Sequence, residues 1–273
     1  MRRRGRTRSA TRPTGRSPRG ALPEGRGGDG LGGEDAGHLR AARPRRGPGR
    51  GGGDTRGRRP REEGAAPFSP LGQLPFWRGQ DTRLASTRIK IFDLFPRSGL
   101  PPAFRTWGEF EGHVEALVAA GSIPDYTWCW WDVRPHPRFG TVEVRALDAQ
   151  TNPANTGALA ALIQCLVAHS AEEAFVPEDP LLTNENKWRA TRYGLDATFH
   201  DFATGRAAGA REEARDLVRR LRPISGELGC EEELEGVLGI VDGGSGAERQ
   251  RAVFAKRGSL KAVAEHTLGV VPG

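Results

Sequence analysis

TWCWWDVRPHPRFGTVEVRALD, residues 127–148, is the stretch whose reading decides the fold. Residues 127–134 are aromatic-rich and 141–148 open on clean alternation, while PHPRFG (135–140) between them is made of turn residues. That order predicts two antiparallel strands joined by a longer hairpin loop. Successive side chains of a strand point to opposite faces, so Val142, Val144 and Ala146 share one face and Glu143 and Arg145 the other. Asp132 and Arg134 share a parity on the first strand, so pairing brings Asp132, Arg134, Glu143 and Arg145 onto one face. Carboxylates beside guanidiniums suit two kinds of ligand, Mg²⁺ through hard oxygen donors and phosphate through the forked Arg donors. An ordinary solvated face with a cross-strand ion pair uses the same residues.

The remainder of the chain beyond residue 75 is mostly helical in pattern. Thr106 and Glu109 form a capping-box pair ahead of Phe110, Val114, Leu117 and Val118, a single stripe that Gly121 ends. Thr151 or Asn152 caps a long helix with Pro153 in its first turn and a stripe of Leu159, Leu162, Ile163, Leu166 and Val167. Further helices are expected over 185–195, 209–222, 231–241, 247–257 and 259–268, the second carried by Ala214, Leu217, Val218 and Leu221, the third by Leu234, Val237, Leu238 and Val241. Trp188 and Tyr193 are read as core aromatics, His136 as a solvated turn histidine, and Gly243-Gly244-Ser245-Gly246 as a linker, since no strand precedes it and no Lys-Ser/Thr follows. The fold class is α+β.

Residues 1–66 are of another kind. They hold 18 Arg, 17 Gly and 6 Pro against 7 Asp or Glu, with no Phe, Trp, Tyr, Ile or Val. Their net charge is +11, which leaves −4 of the chain's +7 for residues 67–273. Such a segment has little to bury against the entropy of ordering it, so 1–66 is expected to be a disordered tail and 67–273 the folded domain. Arg26-Gly27-Gly28 and Arg50-Gly51-Gly52 look like RGG-type RNA contacts but lack interleaved aromatics, and a GC-rich gene read from a misplaced start gives the same composition. The acidic remainder argues against nucleic acid as a partner of the folded part. Cys129, Cys165 and Cys230 make no C-x-x-C pair, which suits a reduced cytoplasmic protein. The apolar run 159–168 is too short to span a bilayer.

With these residues in view, WWDVRPHPRFGTVEVRALDAQT (130–151) resembles the signature of the bacterial carboxylate–amine ligases, the type-2 glutamate–cysteine ligases. PFWRGQDTRLAS (75–86), PRSGLPPAF (96–104) and NENKWRATRYGLDA (184–197) are similar to further segments of that family, in the same order. The resemblance implies a glutamine-synthetase-like ligase domain, present here as its C-terminal half, with an antiparallel sheet remnant and a mostly helical C-terminal part. It implies ATP and Mg²⁺ (or Mn²⁺) as cofactors, and a glutamate-like carboxylate and an amine such as cysteine as substrates. By the same resemblance Glu143 matches the metal ligand, and Arg145 the arginine on the transferring phosphoryl group. Arg134 is the candidate for holding a substrate carboxylate or a phosphate, with Asp132 orienting it. Arg88, Asn186 and Arg192 fall in family motifs as substrate-binding candidates. The glutamate-rich opening strand of such ligases, G-x-E-x-E-F/Y, does not occur in this sequence, so the site is expected to be incomplete and the chain catalytically crippled or inactive.

Overall fold

A computed structural model describes residues 39–40, 71–171 and 179–269. In chain order the strands are β1 (Leu39–Arg40), β2 (Phe76–Trp77), β3 (Gln80–Asp81), β4 (Ser98–Gly99), β5 (Trp130–Trp131), β6 (Val133–His136), β7 (Thr141–Val144), β8 (Thr198–Asp201) and β9 (Arg206–Gly209). The helices are α1 (Thr87–Phe92), α2 (Trp107–Ala119), α3 (Pro153–Ser170), α4 (Pro180–Tyr193), α5 (Ala210–Leu228), α6 (Glu231–Gly243), α7 (Gly246–Arg257) and α8 (Leu260–Thr267). The α+β class stands.

The helical part forms as its sequence pattern dictates. Asn152 caps α3 through a bond from the Ala154 amide, with Pro153 at the first turn. Leu159, Leu162, Cys165 and Leu166 of α3 then meet Leu217, Val218 and Leu221 of α5 and Leu234, Val237, Ile240 and Val241 of α6 in one core. Gly236 lets α6 come close to α3, because a Cβ there would stand 3.1 Å from that of Ala158. The Sγ atoms of Cys165 and Cys230 lie 3.7 Å apart as free thiols, and burial pushes the Cys165 thiol up to about 12. Ser245 starts α7 with a full capping box to Glu248, so the glycine-rich linker is a helix junction. Among the described residues no helix is long and apolar enough to cross a membrane.

The hairpin forms in a shorter version than expected. β6 and β7 pair antiparallel with Arg134 opposite Glu143 and Val133 opposite Val144. The aromatic run ahead of them is not one strand. Asp125 caps a 3₁₀ turn over Tyr126–Trp128 through the Thr127 amide, and Trp130–Trp131 pairs in parallel with Ser98–Gly99 instead. Pro135 and His136, expected in the loop, are strand residues opposite Val142 and Thr141. His136 stacks on Phe139 at 4.5 Å and meets the Tyr126 ring edge-on, so it is not a simply solvated histidine. Leu39–Arg40 runs antiparallel to Val142 and Thr141, along the edge of β7 away from β6. The remaining residues of the expected tail lie outside the described ones.

Three other differences have clear causes. Glu109 reaches back to the Arg105 amide at 2.7 Å, one residue before the Thr106 amide that a capping box would use. Val118 is exposed, because only the Phe110 side of α2 is covered, by Ile123, Cys129 and Trp131. Trp188 and Tyr193 are 38% and 56% exposed, and α4 buries Lys187, Ala190 and Thr191 in their place.

The segment entering β2 is threaded tightly between other backbone. The Gly72 carbonyl accepts from the Ala247 amide at 3.0 Å, and a Cβ on Gly72 would stand 2.4 Å from the Ala85 carbonyl oxygen. Because that neighbour is backbone, Gly72→Ala is expected to destabilise the fold by roughly 1–3 kcal/mol. Urea denaturation measures it; an unchanged midpoint would mean the segment is free to move aside.

Candidate active site

The register of β6 and β7 sets Arg134 and Glu143 directly across from one another, and Arg145 follows Glu143 by two residues on the same side. Arg134 donates to Glu143 Oε2 from Nε at 2.8 Å and lies 2.7 Å from it through Nη2. Arg145 Nη1 donates to Glu143 Oε1. One carboxylate is therefore shared by two guanidiniums, and the trio carries a net positive charge. Burial pushes the Glu143 carboxyl up, but the bonds from Arg134 and Arg145 outweigh it and hold the group below the usual glutamate range.

The two arginines are not equivalent. Arg134 is nearly buried, and its Nη1 also donates to the Thr127 and Cys129 carbonyls at 2.7 and 3.0 Å. Its donors are spent on closing the hairpin against the 3₁₀ turn. The Arg145 side chain is 27% exposed and its Nε is buried without a hydrogen-bond partner. Its backbone is held at both ends: the amide donates to the Asp132 carbonyl at 2.6 Å, and the carbonyl accepts from Arg88 Nη2 at 2.6 Å. The guanidinium carbon lies 5.3 Å from the centroid of the Phe92 ring. Arg145 is thus the fixed cation with capacity to spare.

The other residues expected at the site are distributed around it. Asp132 pairs with Lys187 at 2.7 Å, so the orienting contact expected for Arg134 is not the one it makes. Arg88 donates to Asp148 Oδ1 at 3.0 Å and to the carbonyls of Arg145 and Leu147, each at 2.6 Å. Asn186 bonds the His200 backbone in both directions, at 2.8 and 3.0 Å, pinning α4 to β8. Arg192 lies 5.6 Å from the Tyr193 ring centroid. Lys187 is the residue that sequence reading passed over. Its signal was compositional: the chain has 41 Lys and Arg but only four Lys, and one of them sits in the middle of NENKWRATRY.

The donor set does not by itself fit Mg²⁺ or Mn²⁺. Both Glu143 oxygens are engaged by arginine, and among the described residues no group of three His, Cys, Asp or Glu could hold a metal ion. What the residues fit is an anion.

The hairpin of this α+β protein thus presents a guanidinium held at its backbone beside a carboxylate bonded by two arginines, an arrangement whose chemistry suits an anionic ligand. Residues 74–266 match the glutamate–cysteine ligase family 2, and the chain belongs to that family. A relative from Rubrobacter xylanophilus, provisionally named glutamate–cysteine ligase 2-3, is 65% identical over 192 residues, which are 70% of this chain and 52% of the relative. A second from the same organism, provisionally named glutamate–cysteine ligase 2-1, is 52% identical over 189 residues, 68% of this chain and 50% of its own. One from Thermobifida fusca, provisionally named glutamate–cysteine ligase 2, is 41% identical over 196 residues, 70% of this chain and 49% of its own. The chain spans about half the length of the curated relatives it matches.

Proposed function

We propose that this chain carries the phosphate-holding side of an ATP-dependent carboxylate–amine ligase site of the glutamate–cysteine ligase type. In that reaction a substrate carboxylate oxygen takes the γ-phosphoryl group of ATP, releasing ADP and leaving an acyl phosphate. The amine then attacks the acyl carbon and inorganic phosphate leaves. Charge on the transferring oxygens must be met by fixed donors, and the observation that carries the reading is the buried, unpartnered Nε of Arg145 beside the Arg134–Glu143 pair. Family membership supports a glutamate-like carboxylate and an amine such as cysteine as substrates, a glutamine-synthetase-like domain as the scaffold, and a cytoplasmic setting for the three free thiols.

A second reading, a ligase-family chain without turnover of its own, is favoured by the donor set. Among the described residues no group of three His, Cys, Asp or Glu could hold a metal ion, so a divalent cation drawn to Glu143 would have to displace an arginine and would lack a three-residue ligand set. The reading of residues 1–66 as an RNA contact concerns residues outside the described ones.

Binding is the direct test. Calorimetric titration of ATP into the chain and into Arg145→Ala is expected to show a loss of affinity of about tenfold or more, the usual worth of a charge-assisted hydrogen bond. Equal affinities would remove Arg145 from the site.

A further inference from the structure

The Lys187–Asp132 pair has no part in the reading above, yet it is built with some care. Lys187 is 2% exposed on α4, its Nζ 2.7 Å from Asp132 Oδ2 and 3.6 Å from Asp93 Oδ1 at the end of α1. The contact with Asp132 is closed by charge rather than by alignment, since Oδ2 is buried and accepts no hydrogen bond. Gly99 beside the ammonium is called for by its backbone and not by space: its φ is +86°, while a Cβ on it would lie 3.9 Å from Nζ, an ordinary contact. An ammonium is a compact point charge and a guanidinium a broad fork, which explains a lysine here in a chain that otherwise prefers arginine.

Asp132 is a junction. Its amide donates to the Gly99 carbonyl at 2.7 Å, its carboxylate meets Lys187, and its carbonyl accepts the Arg145 amide at 2.6 Å. We propose that Lys187 is a positioning residue for Arg145: by fixing Asp132 against α4 and β4 it fixes the carbonyl from which Arg145 hangs. The proposal rests on the reading of Arg145 as the anion-holding arginine. It also accounts for Asp132 lying beside the Arg134–Glu143 pair in sequence while pairing elsewhere. Without the ammonium the buried carboxylate has to move toward water, and the 2.6 Å bond to Arg145 moves with it.

The test uses the full chain in chelator-containing buffer at about 0.15 M salt, which limits non-specific contacts. ATP is titrated into the wild type, Arg145→Ala, Lys187→Met, Asp132→Asn and the double variant Lys187→Met/Asp132→Asn, with melting temperature and hydrogen exchange at the Arg145 amide measured alongside. The double variant removes both charges and so avoids stranding one. Positioning predicts that the double variant keeps the wild-type melting temperature, while Lys187→Met and Asp132→Asn, each stranding one buried charge, melt lower. It predicts that they exchange the Arg145 amide faster and bind ATP roughly fivefold more weakly, as residues that act through another residue do. Wild-type affinity and amide protection in these variants, with Arg145→Ala weak, would overturn the proposal and leave the anion reading standing. Wild-type affinity in Arg145→Ala would overturn the anion reading, and this proposal with it.

Discussion

Arg88→Ala is expected to lower folding stability by roughly 3–5 kcal/mol, the range for stranding one partner of a buried ion pair. The Asp148 side chain is 1% exposed and sits where three segments converge. It accepts from the Gln73 amide at 2.8 Å, the Ser86 hydroxyl at 2.9 Å and Arg88 Nε at 3.0 Å. Arg88 also ties down the Arg145 and Leu147 carbonyls, so its removal leaves one buried carboxylate without a cation and two carbonyls without a donor. Adding Asp148→Asn should recover part of the loss, because the charge is then gone. A chemical denaturation curve decides between this account and the sequence-based expectation that Arg88 binds substrate. A substrate-binding arginine would leave the midpoint near wild type and weaken ligand affinity instead.

Glu143→Ala is the second large effect, expected near the lower end of roughly 3–5 kcal/mol because the side chain keeps 17% of its exposure. Its loss leaves Arg134 nearly buried with only the Thr127 and Cys129 carbonyls, and releases Arg145 from the hairpin. The pH dependence has a definite sign. The folded-state pKa of Glu143 is depressed below the ordinary 4.5, so its contribution is fully present above about pH 4.5 and is lost as the pH falls through the lower folded value. Acid unfolding of Glu143→Gln, which has nothing to titrate there, should be shallower over that window than that of the wild type. Parallel curves would mean that the arginines do not hold the carboxylate in solution.

Much of this was legible in the sequence where one physical signal dominated. The stripes of α3, α5 and α6 repeat apolar residues at helical spacing, and Leu159, Leu162, Leu217, Leu221, Leu234 and Val237 are buried as that spacing requires. TVEV alternates, and its hairpin pairs Arg134 with Glu143. Residues 127–131 misled because aromatic content imitates a strand. There the Asp125 cap and the parallel pairing with Ser98–Gly99, a partner some thirty residues back in sequence, decided the backbone instead. The β8–β9 hairpin went unseen although its turn was written plainly, with Asp201 accepting from the Ala203 and Thr204 amides and Gly205 at φ +71°. On α4 helical spacing could not say which face turns inward. Trp188 was the natural candidate, yet Lys187 took the buried side because Asp132 and Asp93 were waiting for it. At the site, parity on the strands brought Arg134, Glu143 and Arg145 together; the partners of Asp132 and Arg88 lie on other segments, and no local pattern reveals them.

Arg145, steadied by Glu143, is proposed to hold phosphate in a site where no group of three described His, Cys, Asp or Glu could hold a metal ion. The measurement that tests it most directly is product formation. Purified chain is incubated with ATP, Mg²⁺, glutamate and cysteine, and ADP and γ-glutamylcysteine are quantified for the wild type and for Glu143→Gln. The account predicts ATP binding without product above the enzyme-free background in either protein. Wild-type turnover that disappears in Glu143→Gln would contradict it, and would mean that Glu143 leaves its arginines to serve a metal ion.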